Sequence, residues 1–371
     1  MRLLLRNVLT VIGTGCLCAG VKADLTFGGN ARTVGMGGAG LAIVSKDGQS
    51  TLDNPASLAL LNRKMNVQFP HIGLHASGIP LGKALDHLTG NPGKNDAPEL
   101  ARDFGEHESQ FGAEAGWGIR FGHLDVRVDG VARVHLKPNG ALSSWAKNAN
   151  GDVSQLITNP FYTASRADLF GAAVYSLPSI GFAERISPAG SPIRVEGGIR
   201  AKLMRAYYTH YTVDANSIAL NGSAASAPEL NGANSLSKTG FGMDLGILVH
   251  PSSHAGFSGA LVVTDLFEPD FKFNGTDTVG SPTQFDLQPR SISLGTAYES
   301  GRLLAAADVT DVTRAYSNTQ GRFGLEYSSR RFAVRGGYNT AGGFNVGLGL
   351  GSFDIAFGGR VPLQISEFMR F

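Results

Sequence analysis

Cysteine is nearly absent from this 371-residue chain. The two that occur, Cys16 and Cys18, both lie in a leader of residues 1–23 that we expect to be removed. Without them the mature chain has no thiol. This excludes a disulfide framework, a cysteine-based metal site and a cysteine nucleophile.

Long hydrophobic runs are lacking as well. The stretch from Val8 to Val21 is interrupted by Gly and Thr and is too short to cross a bilayer as a helix. Beyond it, few segments show the 3.6-residue apolar stripe of a soluble helical protein. Such a chain can cross lipid only as a closed sheet, because hydrocarbon offers no partner to a free backbone amide or carbonyl.

An excess of charge of either sign is also missing. Of the 32 basic residues, three (Arg2, Arg6 and Lys22) leave with the leader, so 29 remain against 30 acids. This near-neutral balance gives no indication of a polyanionic partner and argues against nucleic-acid binding.

The leader has the layout of a secretory signal. Arg2 and Arg6 precede the apolar stretch, and Val21-Lys22-Ala23 has small or apolar residues at the third and first positions before Asp24. We therefore expect cleavage before Asp24 and export of the mature chain. An uncleaved membrane anchor is the alternative.

Alternation of apolar and polar residues is the strongest positive signal. From Leu124 to Lys137 one set of alternate positions is apolar or small throughout, and the other is almost wholly charged. Ile193 to Tyr211 repeats the pattern. Because successive side chains of a strand point to opposite faces, each of these strands has one apolar and one polar face. Lipid outside and a polar lumen inside account for both faces.

The chain after residue 62 contains about fourteen such strands. We place them near 65–76, 112–122, 124–137, 168–186, 192–211, 238–250, 255–265, 288–299, 302–311, 321–328, 331–338, 343–350, 352–359 and 364–371. Connections after odd-numbered strands are mostly long, and those after even-numbered strands are short. Bacterial barrels have short periplasmic turns and longer outer loops, so the connections support the same fold.

The predicted fold is therefore all-β, a transmembrane antiparallel barrel spanning residues 63–371. Its last strand ends at Phe371, and an aromatic carboxyl-terminal residue is typical of the signal that barrel precursors show to the barrel assembly machinery. We expect the protein in the outer membrane of a Gram-negative bacterium, in contact with outer-membrane lipid, after removal of residues 1–23.

Residues 24–62 do not resemble a strand. They contain a glycine-rich motif and an Asn-Pro-Ala motif, with candidate residues Gly35, Gly37, Gly38, Asn54, Pro55 and Ala56. At these residues the chain resembles the outer-membrane superfamily that includes the FadL long-chain fatty-acid transporters and their PorV-like and TraF-like relatives. The resemblance implies an amino-terminal hatch inside a barrel of about fourteen strands.

The chemistry of these motifs suits a hatch. Glycine permits positive φ and close approach of backbones, and an Asn-Pro pair can close a turn on nearby amides. A periplasmic tail is the alternative. Gly35-x-Gly37-x-x-Gly40 also matches the dinucleotide-binding fingerprint, but it lacks the preceding strand and following helix that the fingerprint needs.

Charged residues on the inner face of two strands form a further candidate group. They are Arg127, Asp129, Arg133, Arg200 and Lys202. We favour a structural ion-pair network that braces the hatch. The alternative is a basic cluster that holds a carboxylate head group during passage.

Pro178 interrupts the fourth predicted strand. Proline removes a donor from the hydrogen-bond ladder and is tolerated mainly at edges and bulges. In FadL-type transporters a kinked strand opens the wall toward lipid, and the resemblance suggests this role for Pro178, together with Pro70. A harmless bulge is the alternative.

Catalytic and metal-binding signatures are weak. None of the nine histidines forms a spaced ligand set with carboxylates, and no Ser, His and Asp arrangement stands out. We expect no enzymatic activity, no metal and no cofactor.

The resemblance implies uptake of hydrophobic, fatty-acid-like small molecules through a hatch-plugged barrel. PorV-like and TraF-like relatives suggest a second hypothesis, an outer-membrane scaffold for protein secretion or conjugation. A general porin is a third possibility, but a retained hatch would block its lumen. These are inferences from fold and need a site to support them.

Overall fold

The computed structural model describes thirteen parts of the chain. They are residues 30–44, 54–61, 65–77, 102, 105–106, 108–149, 152–214, 236–253, 255–276, 282–315, 319–329, 332–359 and 363–370. The leader 1–23 and Phe371 lie outside these parts. No helix in the described parts is long and apolar enough to cross a membrane.

Fourteen of the described strands form one closed antiparallel barrel. Its strands are β1 Met65–Ser77, β2 Ser109–Phe121, β3 Leu124–Pro138, β4 Arg166–Arg185, β5 Ile193–Asp214, β6 Leu236–Pro251, β7 Gly256–Thr264, β10 Ser291–Ser300, β11 Leu303–Thr310, β12 Gln320–Ser328, β13 Phe332–Asn339, β14 Gly343–Leu350, β15 Phe353–Gly358 and β16 Leu363–Arg370. Each strand pairs with its neighbours in this order, and β16 pairs with β1 to close the wall. The prediction of a fourteen-strand barrel is confirmed.

The alternating sequence sets the two faces of the wall. On β3, Leu124 and Val126 are exposed on the outer face, whereas Asp125 and Arg127 are buried on the inner face. Large apolar side chains are exposed on the outer face of other strands too, for example Phe344 at 78%. An apolar outer belt over a polar interior is the arrangement of an outer-membrane barrel.

The connections between strands differ in length as the sequence predicts. Gly122 and Gly351 have positive φ and lie in the short turns that join β2 to β3 and β14 to β15. The longer connection from β3 to β4 contains two helices, α2 Gly140–Asn148 and α3 Val153–Thr158, which the sequence pattern did not predict.

The connection from β7 to β10 also differs from the expectation of a plain loop. It contains a two-stranded sheet, β8 Lys272–Thr276 and β9 Pro282–Asp286, that is separate from the barrel. We call it the β8–β9 hairpin. Its strands are short, and the run of Asn, Gly, Asp and Thr around it resembles an exposed turn in sequence.

Two strands of the wall are irregular. The register of β4 shifts between Ser176 and Ser179 against both of its neighbours, and Pro178 lies in this interval. The register of β1 shifts after Gln68 against both β2 and β16, in the interval that contains Pro70. Both prolines therefore lie at bulges, where a missing ladder donor is tolerated.

Two described parts precede the barrel, residues 30–44 and 54–61, which we call the amino-terminal segment. They contain α1 Ala31–Gly35 and a 3₁₀ helix, Pro55–Leu60. Helix α1 contacts β13 to β16, and the 3₁₀ helix contacts β4 to β6. The domain boundary at residue 62 and the role of hatch stay predictions.

Candidate functional site

The glycine-rich motif follows α1 and enters a narrow space against the wall. Asn30 caps the helix, because its side chain accepts a hydrogen bond from the Thr33 amide at 3.0 Å. Gly37 and Gly38 have φ of +70° and +87°, which favours glycine. A Cβ atom on Gly37 would also come within 2.6 Å of the Tyr338 amide nitrogen. Gly37 is therefore required by both conformation and space.

Asn54 organises the second motif. Its side-chain oxygen accepts from the Ala56 amide at 2.9 Å, and its side-chain nitrogen donates to the Leu41 carbonyl at 3.0 Å. Pro55 begins the 3₁₀ helix, where its fixed φ is favourable. Asn54 thus joins the two halves of the amino-terminal segment, and it is fully buried.

A buried ion-pair group connects this segment to the wall, and sequence reasoning missed it. Arg32 donates to both carboxylate oxygens of Glu326 on β12, at 2.9 and 2.8 Å. Arg335 on β13 contacts the same carboxylate and also Asp354 on β15. Alternation placed Glu326 and Arg335 on inner faces, but no local pattern pointed to Arg32 as their partner.

Asp308 on β11 makes a second connection that was missed. One of its oxygens accepts from the amides of Gly40 and Leu41, at 2.7 and 3.1 Å. The signal in the sequence was an inward-facing acid after three alanines, which is weak because lumen acids are common in barrels.

The predicted inner-face charges lie elsewhere on the wall. Arg127 pairs with Asp129 at 2.7 Å, and Arg200 lies 3.8 Å from Asp125. The first contact lies within β3, and the second joins β5 to β3. Arg32, Glu326 and Asp308 do join the amino-terminal segment to the wall, whereas the bracing role expected of the five predicted charges stays a prediction.

Lys202 lies between two carboxylates. Its ammonium group is 2.7 Å from Asp244 on β6 and 2.7 Å from Asp265. Asp265 follows the end of β7, and burial raises its pKa to about 6. The Asp265 amide also donates to Asp244, at 3.0 Å.

Arg133 differs from the other four predicted charges. In the described parts of the chain it has no ion pair, and its Nε atom has no hydrogen-bond partner. It lies on β3 directly opposite Ala172 of β4.

An apolar cluster covers the inner face near Arg133, toward the end of the wall that carries the long loops. Its members are Val131, Phe170, Ala172, Val174, Met204, Ala206, Tyr208, Phe271, Phe273 and Leu287. The wall contributes the first seven, and the β8–β9 hairpin with its flanks contributes the rest. Tyr208 stacks on Phe273 with 5.4 Å between ring centroids. The hairpin therefore packs against an apolar part of the inner face.

Several histidines on the inner face pair with carboxylates. His75 lies 3.2 Å from Glu114, and His210 lies 3.2 Å from Asp168. No group of three or more possible metal ligands occurs in the described ranges. The expected absence of metal and of catalysis stays a prediction.

The sequence matches the family described as "F plasmid transfer operon, TraF, protein" over residues 113–310. This match extends from β2 to β11 and covers more than half of the chain. The chain belongs to this family. The resemblance to TraF-like proteins is confirmed. No match is found among curated protein sequences.

The chain is also similar to solved structures, among them two toluene transporters and a FadL homologue. The Pseudomonas putida toluene transporter TodX is 13% identical over 92% of this chain and 96% of its own, with a TM-score of 0.46. The Ralstonia pickettii toluene transporter TbuX is 10% identical over 93% and 99%, with a TM-score of 0.37. A Pseudomonas aeruginosa FadL homologue is 12% identical over 92% and 96%, with a TM-score of 0.36.

Proposed function

We propose that the barrel takes up small molecules with an apolar body through the outer membrane. The observation that carries the proposal is the apolar cluster on the inner face of β3, β4 and β5. Inner faces of such barrels are polar, because they line a wet lumen. Seven apolar wall side chains at one end of the bore need another reason, and an apolar ligand supplies one.

The β8–β9 hairpin supports the same proposal. Phe271 and Phe273 occupy the apolar wall with only 0% and 3% of their surface exposed. A ligand of similar size and polarity would take the place of these aromatic side chains against Phe170 and Tyr208. Because the ligand would make the apolar contacts that the aromatic side chains give up, its entry would expose little apolar wall surface to water.

Arg133 supports an amphipathic ligand with an anionic head group. It lies two residues from Val131 on the same face of β3, at the edge of the cluster. A carboxylate there would gain a charge-assisted hydrogen bond while its apolar part lies on the wall. This retains the head-group hypothesis that the sequence raised but assigns it to Arg133 alone.

The route beyond the cluster is part of the proposal. The bulges of β1 and β4 lie on either side of the β2–β3 pair, because Gln68 is paired with Gly118, Gly118 with Arg127, and Arg127 with Ser179. We assign Pro178, with Pro70, to a place where the wall opens toward lipid. Passage past the amino-terminal segment is the other route.

The test is binding of a naphthylamine dye to the purified barrel in detergent. Tyr208→Ala removes a cluster side chain from β5, and Leu203→Ala removes an exposed apolar side chain from the outer face of the same strand. We expect Tyr208→Ala to weaken binding about tenfold, because a buried aromatic contact contributes about 1–2 kcal/mol. Equal affinity of both variants and the unaltered chain would overturn the proposal.

A second candidate function is a scaffold for conjugation or secretion. The family description names a plasmid transfer operon, and apolar side chains are exposed on the long connections, Phe161 at 61% and Phe267 at 59%. Phe161→Ser should then lower the frequency of plasmid transfer while leaving dye binding unchanged. If Phe161→Ser instead leaves plasmid transfer unchanged and Tyr208→Ala weakens only dye binding, the result supports uptake.

A further inference from the structure

Six strands of the wall carry a glycine at an equivalent inward position, flanked by larger outward residues. The positions are Gly118 on β2, Gly181 on β4, Gly246 on β6, Gly295 on β10, Gly324 on β12 and Gly347 on β14. Ser366 occupies the corresponding position on β16. We call these seven positions the glycine ring.

The register of the wall shows that the glycine ring lies at one level. Gly118 is paired with Arg127, and Arg127 with Ser179, two residues before Gly181. From each ring position, pairing across two strands leads to a residue that lies two positions before the next ring position. This holds as far as Ser366. A shift of about 6.6 Å over about 9.6 Å of wall corresponds to strands tilted by about 35°. Because barrels of this type have that tilt, the step keeps the ring level.

The amino-terminal segment contacts the glycine ring in order around the bore. Ala31 lies at Ser366, Gly35 at Gly347, Met36 at Gly324, Leu41 at Gly295, Asn54 at Gly246 and Leu58 at Gly181. The chain therefore runs from β16 back to β4, against the order of the strands. Its described residues reach six of the seven ring positions.

Space explains the glycines. A Cβ atom on Gly324 would come within 2.5 Å of the Met36 Cβ, and one on Gly295 within 2.7 Å of the Leu41 Cβ. A Cβ atom on Gly337, the direct partner of Gly324 on β13, would come closer still to the Met36 backbone. A side chain at these places would displace the amino-terminal segment from the wall.

Polar contacts fasten the same segment at several places. The Ala31 amide donates to the Ser366 hydroxyl at 3.2 Å, and the Ser258 hydroxyl donates to the Ala42 carbonyl at 2.7 Å. The Arg32 ion pair and the two amides held by Asp308 are buried as well. Withdrawal would leave these groups without their partners, at a large cost for each buried charge.

We propose that the amino-terminal segment is a fixed inner belt, seated on the glycine ring, which stays in place when the barrel works. It is not a hatch that leaves the bore. The proposal concerns how the barrel is closed at this level, and only the dye-binding part of its first test rests on the proposed function.

The first test uses the lack of cysteine in the mature chain. Leu41→Cys with Gly295→Cys brings two Cβ atoms together at the ring, and a shift of about 1 Å gives the separation of a disulfide. In isolated outer membranes under mild oxidation we expect nearly complete cross-linking. The locked barrel should bind the naphthylamine dye as tightly as its reduced form.

The matched control pairs Leu41→Cys with Gly259→Cys, because Gly259 lies on the adjacent strand and on the outer face, beside exposed Phe257 and Leu261. This pair should stay reduced. A folded barrel in which the Leu41 and Gly295 positions fail to cross-link, or in which the lock abolishes dye binding, overturns the fixed belt.

A second test compares two neighbouring glycines of β13. Gly337 faces Met36, whereas a Cβ atom on Gly336 would have nothing within 4 Å. We expect Gly337→Val to lower the yield of folded barrel at least fivefold, or to expose the segment to protease, and Gly336→Val to change neither. Equal behaviour of the two variants contradicts the proposal.

Discussion

Arg32 and Glu326 form a buried ion pair through two hydrogen bonds, of 2.9 and 2.8 Å, although 294 residues separate them in sequence. Arg32 lies on α1 before the barrel begins, and Glu326 lies on β12 near its end. The pair connects the first described helix to the tenth of the fourteen wall strands, so we expect docking of the segment and closure of the barrel to depend on each other.

Arg32→Ala should destabilise the barrel by about 3 kcal/mol, because it leaves part of the Glu326 charge buried without compensation. The measurement is urea unfolding in detergent micelles, followed by intrinsic fluorescence. Arg205→Ala is the control, since Arg205 is exposed on β5. Similar midpoints for both variants would show that the Arg32 pair contributes no more than a surface contact.

Asn54→Ala should cost about 1–2 kcal/mol, because the Ala56 amide and the Leu41 carbonyl both lose their partner in a buried place. Asn139→Ala removes a similar cap from α2, on the outer connection. We expect this control to loosen α2 and leave the unfolding midpoint of the barrel unchanged. Protease mapping of the two variants distinguishes the sites.

Lys202→Met should destabilise the barrel by about 3–5 kcal/mol, since it leaves two carboxylates without their shared cation. Adding Asp265→Asn removes one of those charges and should restore part of the loss. Unfolding of the single and double variants gives the coupling energy. Strict additivity of the two changes would contradict the triad.

Asp265 should make stability depend on pH. Its pKa is about 6 in the folded barrel against an ordinary value of 3.8, so the folded state holds more protons between these values. Stability from this group is present at low pH and is lost as pH rises through about 6. We therefore expect the advantage of the unaltered chain over Asp265→Asn to be larger at pH 4 than at pH 7, by at least about 1 kcal/mol. An advantage that grows with pH would contradict this assignment.

Arg133→Gln should lower affinity for a carboxylated apolar ligand about tenfold and leave a neutral analogue unaffected, because one charge-assisted hydrogen bond is lost. Arg133 has no close ion pair in the described ranges, so the unfolding midpoint should change less than in a variant that breaks such a pair. Arg127→Gln is the contrasting variant, since it breaks the pair with Asp129 and should lower stability instead. A loss of affinity for both ligands would point to a change of shape at the site.

The strands of the wall could be predicted because lipid on one face and the polar bore on the other each favour a residue type at single positions. From Leu124 to Lys137 every second position faces lipid, and the rest face a polar bore, so the pattern is local and readable. The β8–β9 hairpin and the helices α2 and α3 were missed. They lie in long connections where no lipid face imposes a period.

The candidate site was predicted only in part. Gly37 and Asn54 stood out because glycine-rich and Asn-Pro motifs favour tight turns and close backbone packing, and the structure gives both residues a close contact. Asp308 did not stand out, because an acid in a lumen has many possible partners. The cluster around Phe170 and Tyr208 also escaped notice, since single apolar residues on a polar face look like noise until neighbouring strands are aligned.

The sequence by itself determined that this chain forms an apolar-faced barrel, because alternation is a property of neighbouring residues. Only the tertiary structure decided which glycines form one level and what fills the space above them. That depends on the stagger of all strands around the closed wall. No single segment of the chain determines this stagger, because it is fixed only when β16 pairs with β1 and closes the barrel.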